Sequence, residues 1–173
     1  RRKADDYMHS FPSDKLSIEQ NGADPSVARS KPLVVMDTNV VLDLWLFRNP
    51  ALGWLASALT SGSLQWVATA AMLEELGHVR GRNFDARHHA MPELFRPPAH
   101  LVATPDPIST LRCQDRSDQM FLDLAFRWRC PLLTRDRHLL CLQRKASRAG
   151  LHILTPEQAI QLPTLADTRS PGA

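Results

Sequence analysis

The sequence predicts one α/β domain with three layers, a parallel sheet of about five strands covered by helices on both faces. Three observations lead there. Short apolar runs recur at 33–36, 64–68, 131–134 and 151–154, with a further strand-like stretch at 100–103. Segments with helical apolar spacing lie between them, and turn residues such as Ser61-Gly62-Ser63 and Gly150 punctuate the alternation. The chain, at 173 residues, is long enough to bury one core, and no internal repeat or second apolar block divides it.

Leu33-Val34-Val35-Met36 is continuously apolar, as a strand buried on both faces must be. It ends at Asp37-Thr38-Asn39, and Val40 to Leu46 reads as a helix, followed by a second over 51–59. After the strand at 64–68, Thr69 is placed to cap a helix running to about Val79 and ended by Gly81. The stretch 82–98 resists a helical reading because Pro92 and Pro97-Pro98 interrupt it. Asp115 or Ser117 is placed to cap a helix over 115–129 with a buried stripe of Phe121, Leu122, Leu124, Ala125 and Trp128. The strand at 131–134 leads to one helix over 137–149, which Gly150 ends. After the last strand, Thr155-Pro156-Glu157 combines an N-cap with a proline at the first helical position.

The domain is therefore expected over 32–162, with a disordered arm at 1–31 and a flexible tail at 163–173. No apolar run approaches the roughly 20 residues of a membrane span, so no membrane partner is expected. The charged start lacks the apolar stretch of a secretory signal. Cys113, Cys130 and Cys141 are odd in number and lack C-x-x-C spacing, which suits a reduced, cytoplasmic protein. The net charge of +3 is mild. Basic residues cluster at Arg80-Gly81-Arg82 and among Arg135, Arg137, Arg144, Lys145 and Arg148, which suits a polyanionic partner as well as a solvated helix face.

In a parallel sheet, functional groups collect beyond the carboxyl ends of the strands. Asp37 and Asp136 follow two of the apolar runs, while Glu75 and Asp118 sit on helices able to face the same crevice. Carboxylates crowded together repel one another, and a hard divalent cation relieves that cost. Each acid also has a plainer reading. Asp37 at a strand end can be a helix cap, one of Glu74 and Glu75 must face solvent, and Asp115, Asp118 and Asp123 share one helical stretch.

Four segments resemble the motifs of PIN-domain nucleases, in the same order. Val34-Val35-Met36-Asp37-Thr38-Asn39 is similar to the first, and Met72-Leu73-Glu74-Glu75-Leu76 to the second. Asp115-Arg116-Ser117-Asp118-Gln119-Met120-Phe121-Leu122 is similar to the third, and Leu132-Leu133-Thr134-Arg135-Asp136 to the fourth. The resemblance covers about 32–160 and, within the family, is to the bacterial toxin components of toxin–antitoxin systems. It implies a PIN-like, Rossmann-like fold and a Mg²⁺- or Mn²⁺-dependent endoribonuclease hydrolysing single-stranded RNA. On this resemblance Asp37, Glu75, Asp118 and Asp136 are catalytic metal ligands, with Asp115 as either an extra ligand or an acid behind the ligands, and Asn39 and Thr134 as supporting groups. Arg135 and Arg137 are expected to touch substrate phosphates, and an antitoxin protein and a homodimer are the expected partners.

Two rival functions remain in view: a non-catalytic PIN-like module that binds RNA or protein, and a metal-dependent phosphatase. His88-His89 lacks a third ligand at metal spacing, and no cysteine has a paired histidine and acid, so neither supplies a separate site. Trp45, Trp54, Trp66 and Trp128 lie in apolar segments and read as core or interface residues. Glycine-rich phosphate loops are missing, which argues against a nucleotide cofactor.

Overall fold

The computed structural model describes residues 31–83, 99–107 and 110–166. Five parallel strands form one sheet in the order β3-β2-β1-β4-β5. They are β1 (Leu33–Met36), β2 (Gln65–Ala68), β3 (Ala99–Leu101), β4 (Leu132–Leu133) and β5 (Ile153–Leu154). The helices are α1 (Thr38–Trp45), α2 (Gly53–Thr60), α3 (Ala70–Asn83), α4 (Gln119–Arg127), α5 (Arg137–Leu140), α6 (Gln143–Arg148), α7 (Pro156–Ala159) and α8 (Pro163–Ala166). Parallel neighbours need crossover connections, and the intervening helices supply them. The expected α/β class and five-stranded parallel sheet are what the chain adopts.

Alternation along β1 divides the interior into two layers. Val34 and Met36 pack with α1, α2 and Leu165, whereas Leu33 and Val35 pack with Phe121, Leu122 and Leu124 of α4 and Ala146 of α6. Every residue of β1 is buried because both faces are covered. Helix α3 lies across the boundary: Leu76 belongs to the first layer and Met72 to the second.

Several boundaries differ from the sequence expectation. Gly81 lies inside α3 and does not end it, since a glycine costs a helix only about 1 kcal/mol. The predicted helix over 137–149 is two helices. Leu142 N–H bonds to Leu139 O three residues back, at 3.0 Å, and this tightened turn separates α5 from α6. Neither Asp115 nor Ser117 caps α4: Asp118 precedes its first turn, and the Asp115 carboxylate accepts from Ser117 N and Oγ instead. Trp128 falls just past the helix end, where its ring meets His100 edge-on with centroids 5.9 Å apart.

Other expectations hold locally. Gly150 turns the chain left-handed at φ 80°, and Thr155 with Gln158 closes a capping box at the start of α7. The packed chain runs past residue 162, where the sequence places a flexible tail, because Leu165 in α8 is only 1% exposed in the first core layer. Residues 1–30 of the arm expected at 1–31, the histidine pair at 88–89 and the end at 167–173 lie outside the described residues. No helix among the described residues is long and apolar enough to cross a membrane.

Candidate active site

The strand order places the candidate acids. Strands β2 and β3 extend to one side of β1, and β4 and β5 to the other, so the chain reverses its direction of winding between β1 and β4. The crevice beyond the carboxyl ends of two such strands is where open α/β sheets carry ligands. Val35 pairs with Leu132 and Met36 with Leu133, and Asp37 N–H continues the ladder to Leu133 O at 3.0 Å. The next residue of each strand thus brings Asp37 beside Thr134, 97 positions away in sequence.

Asp37 is 3% exposed and serves as the N-cap of α1. Its Oδ1 accepts from Val40 N at 2.7 Å, and its Oδ2 accepts from the Thr134 hydroxyl and from Arg135 N at 3.3 Å. Burial lifts its pKa above the ordinary carboxylate range and the Asp136 charge adds to the lift, while the Thr134, Val40 and Arg135 donors pull it back only partly. Thr134 is fully buried and double-ended: it donates to Asp37 and accepts from Asp136 N at 2.9 Å. Asp136 caps α5, with Oδ1 accepting from His138 N at 2.6 Å.

Asp118 enters from α4. Although it sits at the cap position, its side chain makes no capping hydrogen bond. Its pKa is pushed up to about 6, by burial first and then by the charges of Asp136, Asp115, Asp37 and Glu75. Acids from three other stretches of chain and from the loop before α4 thus act on Asp118 together. On α3, Glu75 is half-buried and acts on Asp118, whereas Glu74 is exposed. Asp115 is also exposed, and its carboxyl is held below the ordinary value by the Ser117 hydroxyl and N–H, with a smaller pull from His138. Asn39 is exposed in the first turn of α1.

The acids share an electrostatic neighbourhood without closing into a cage. Among the described residues no three His, Cys, Asp or Glu side chains stand in an arrangement that encloses an ion. The donor chemistry nevertheless suits a hard divalent cation. The carboxylates repel one another, and the nearby guanidinium of Arg135 points to other partners: its Nε lies 2.7 Å from Asp43 Oδ2, and Nη2 donates to Glu157 Oε1 at 2.6 Å. Burial acts to lower the Arg135 pKa, but these two carboxylates hold it above its ordinary value. Arg137 is exposed at the start of α5.

Sequence reasoning did not single out Asp43 or Gln119. Asp43 follows Asp37 by six positions on an amphipathic helix, and only the arginine within the fourth motif hinted at a counter-charge. Gln119 accepts from Cys113 N at 2.8 Å and donates to Leu111 O at 3.0 Å and to Asp123 Oδ1 at 2.8 Å, which ties the loop carrying Asp115 to α4.

A profile of the PIN domain matches residues 33–138, a span from β1 to the first turn of α5 that includes all four acids. None of the curated proteins matches the chain. PIN domains are typically nucleases, and the family generally uses divalent metals.

Proposed function

The chain belongs to the PIN-domain family, and from that premise we propose that it is a Mg²⁺- or Mn²⁺-dependent endoribonuclease acting on single-stranded RNA, the toxin of a toxin–antitoxin pair. The observation that carries the reading is the meeting of Asp37 and Asp136 through Thr134 at the winding reversal, where their charges help lift Asp118 to about 6. Such a concentration of like charge beyond strand ends destabilises the fold unless a cation uses it.

Asp37, Glu75, Asp118 and Asp136 would hold the ion, with Asp115 at the rim. A divalent cation bound there supplies a Lewis acid for a phosphoryl oxygen and acidifies a water. The chain's own groups prepare the site. Thr134, Val40 N–H and Arg135 N–H fix both oxygens of Asp37 and favour its ionised form. The α5 cap holds one oxygen of Asp136, whose Oδ1 accepts from His138 N. Hydrolysis adds water across one P–O bond, and the departing ribose oxygen takes up a proton. No covalent enzyme intermediate is needed. Exposed Arg137 is suited to contact a backbone phosphate beside the acids.

A non-catalytic module that binds RNA or protein is the second reading. Cleavage of end-labelled single-stranded RNA with Mg²⁺, Mn²⁺ or EDTA separates the two, with Asp37→Asn as control. The nuclease reading expects metal-dependent cleavage that EDTA and the variant abolish. Asparagine is as good an N-cap as aspartate, so α1 should persist in the variant. A folded wild type that binds RNA but cleaves none with either metal establishes the non-catalytic reading. The antitoxin partner and a homodimeric state belong to the same proposal. Light scattering of the chain with and without co-expressed protein from the same operon tests both.

A further inference from the structure

Arg135 sits inside the fourth motif, between Thr134 and Asp136, and the sequence marks it for substrate phosphate. Its surroundings argue for another role. The guanidinium is split between Asp43 of α1 (Nε to Oδ2, 2.7 Å) and Glu157 of α7 (Nη2 to Oε1, 2.6 Å). Two carboxylates and one guanidinium sum to a net negative charge, which a phosphate would have to approach. The side chains of Arg135 and Asp43 are only 33% and 25% exposed, so the contact with α1 is partly shielded from solvent. Meanwhile the main-chain N–H of the same residue donates to Asp37 Oδ2 at 3.3 Å.

We infer that Arg135 is a positioning residue: the Asp43–Arg135–Glu157 clasp braces the segment between β4 and α5 against α1 and α7, and so sets where Asp37 and Asp136 stand. The clasp joins elements that the acid cluster needs in register. Asp37 and Asp136 are the N-caps of α1 and α5, and α7 packs against β5. A planar fork suits this task because it reaches two carboxylates in different directions at once. The point charge of a lysine can satisfy one of them but not both in the same geometry. A single partly exposed ion pair contributes little to stability, so the value of the clasp lies in alignment.

The test rests on the nuclease reading only for its activity arm. Four proteins are compared: wild type, Arg135→Ala, Arg135→Lys, and the double variant Asp43→Asn/Glu157→Gln, which breaks the clasp with the arginine present. In EDTA, affinity for single-stranded RNA and its salt dependence should stay within about twofold of wild type in Arg135→Ala, because no phosphate contact is lost. The Mn²⁺ concentration giving half of the thermal shift should rise about tenfold in Arg135→Ala and in the double variant, and less in Arg135→Lys. With saturating Mn²⁺, kcat should fall about tenfold or more while KM for RNA changes little. The inference is overturned if Arg135→Ala weakens RNA binding about tenfold and reduces the salt slope by about one, or if the double variant responds to Mn²⁺ as wild type does. A wild type that responds to Mn²⁺ yet cleaves no RNA overturns the nuclease reading and leaves the clasp to the Mn²⁺ and RNA-binding arms. A wild type with no Mn²⁺ response overturns both.

Discussion

Replacing Asp118 with asparagine should make the metal-free protein more stable while removing its activity. The carboxyl is displaced from its ordinary value of 3.8 up to about 6, by burial and by Asp136, Asp115, Asp37 and Glu75. A displacement of that size corresponds to about 3 kcal/mol for a fully shielded group. Asp118 is only partly buried, and solvent screening reduces the figure to about 1 kcal/mol. The sign follows from proton binding. The native state holds the Asp118 proton more tightly than the unfolded chain, so the penalty is absent below the unfolded value of 3.8, grows through the interval, and is complete above about 6. Asparagine keeps the shape and removes the titration, and no side-chain cap is lost because Asp118 makes none. In EDTA near pH 7.5 the variant should melt about 2–4 °C above wild type, and the gain should shrink toward zero near pH 4. Adding Mn²⁺ should reverse the order, since only the complete acid set gains binding free energy from the ion. Differential scanning calorimetry at the two pH values, with and without Mn²⁺, measures each part. A variant less stable than wild type in EDTA, or a gain as large near pH 4 as near pH 7.5, would refute the electrostatic account of the crevice.

Thr134→Val removes the hydroxyl that donates to Asp37 and accepts from Asp136 N, at a fully buried position. It should cost about 1–3 kcal/mol in urea unfolding and lower the cleavage rate, and an unchanged unfolding midpoint would remove Thr134 from its bridging role. Gly150→Ala tests the backbone alone, since φ is +80° and a Cβ there meets no heavy atom within 4 Å. A loss of about 1–2 kcal/mol with normal RNA cleavage is expected, and a neutral result would mean that the left-handed turn is not required.

The alternation of apolar runs and helical segments was enough to determine the class of fold. A strand buried on both faces has to read as Leu33-Val34-Val35-Met36 does, and local caps such as Thr155-Pro156 act within one turn. The order of the acids along the chain was equally open to reading, because each motif is a local string and all four fall within the span that the PIN profile matches. Helix ends were less accessible. The break between α5 and α6 and the cap at Asp118 depend on which side chains the sheet draws inward, and local propensity does not contain that. Which groups hydrogen-bond to which in the crevice was not legible. That Asp37 lies beside Thr134 follows from β1 pairing with β4 across 97 positions, a long-range hydrogen-bond register with no local signature. The same holds for Arg135: its sequence marks a cation near acids, but only the packing of α1 and α7 against the loop after β4 decides that Asp43 and Glu157 take its guanidinium. Residue types and their periodicity therefore select the elements and the chemistry on offer, while the distance between charges, which governs their pKa values and their partners, exists only once the sheet has closed.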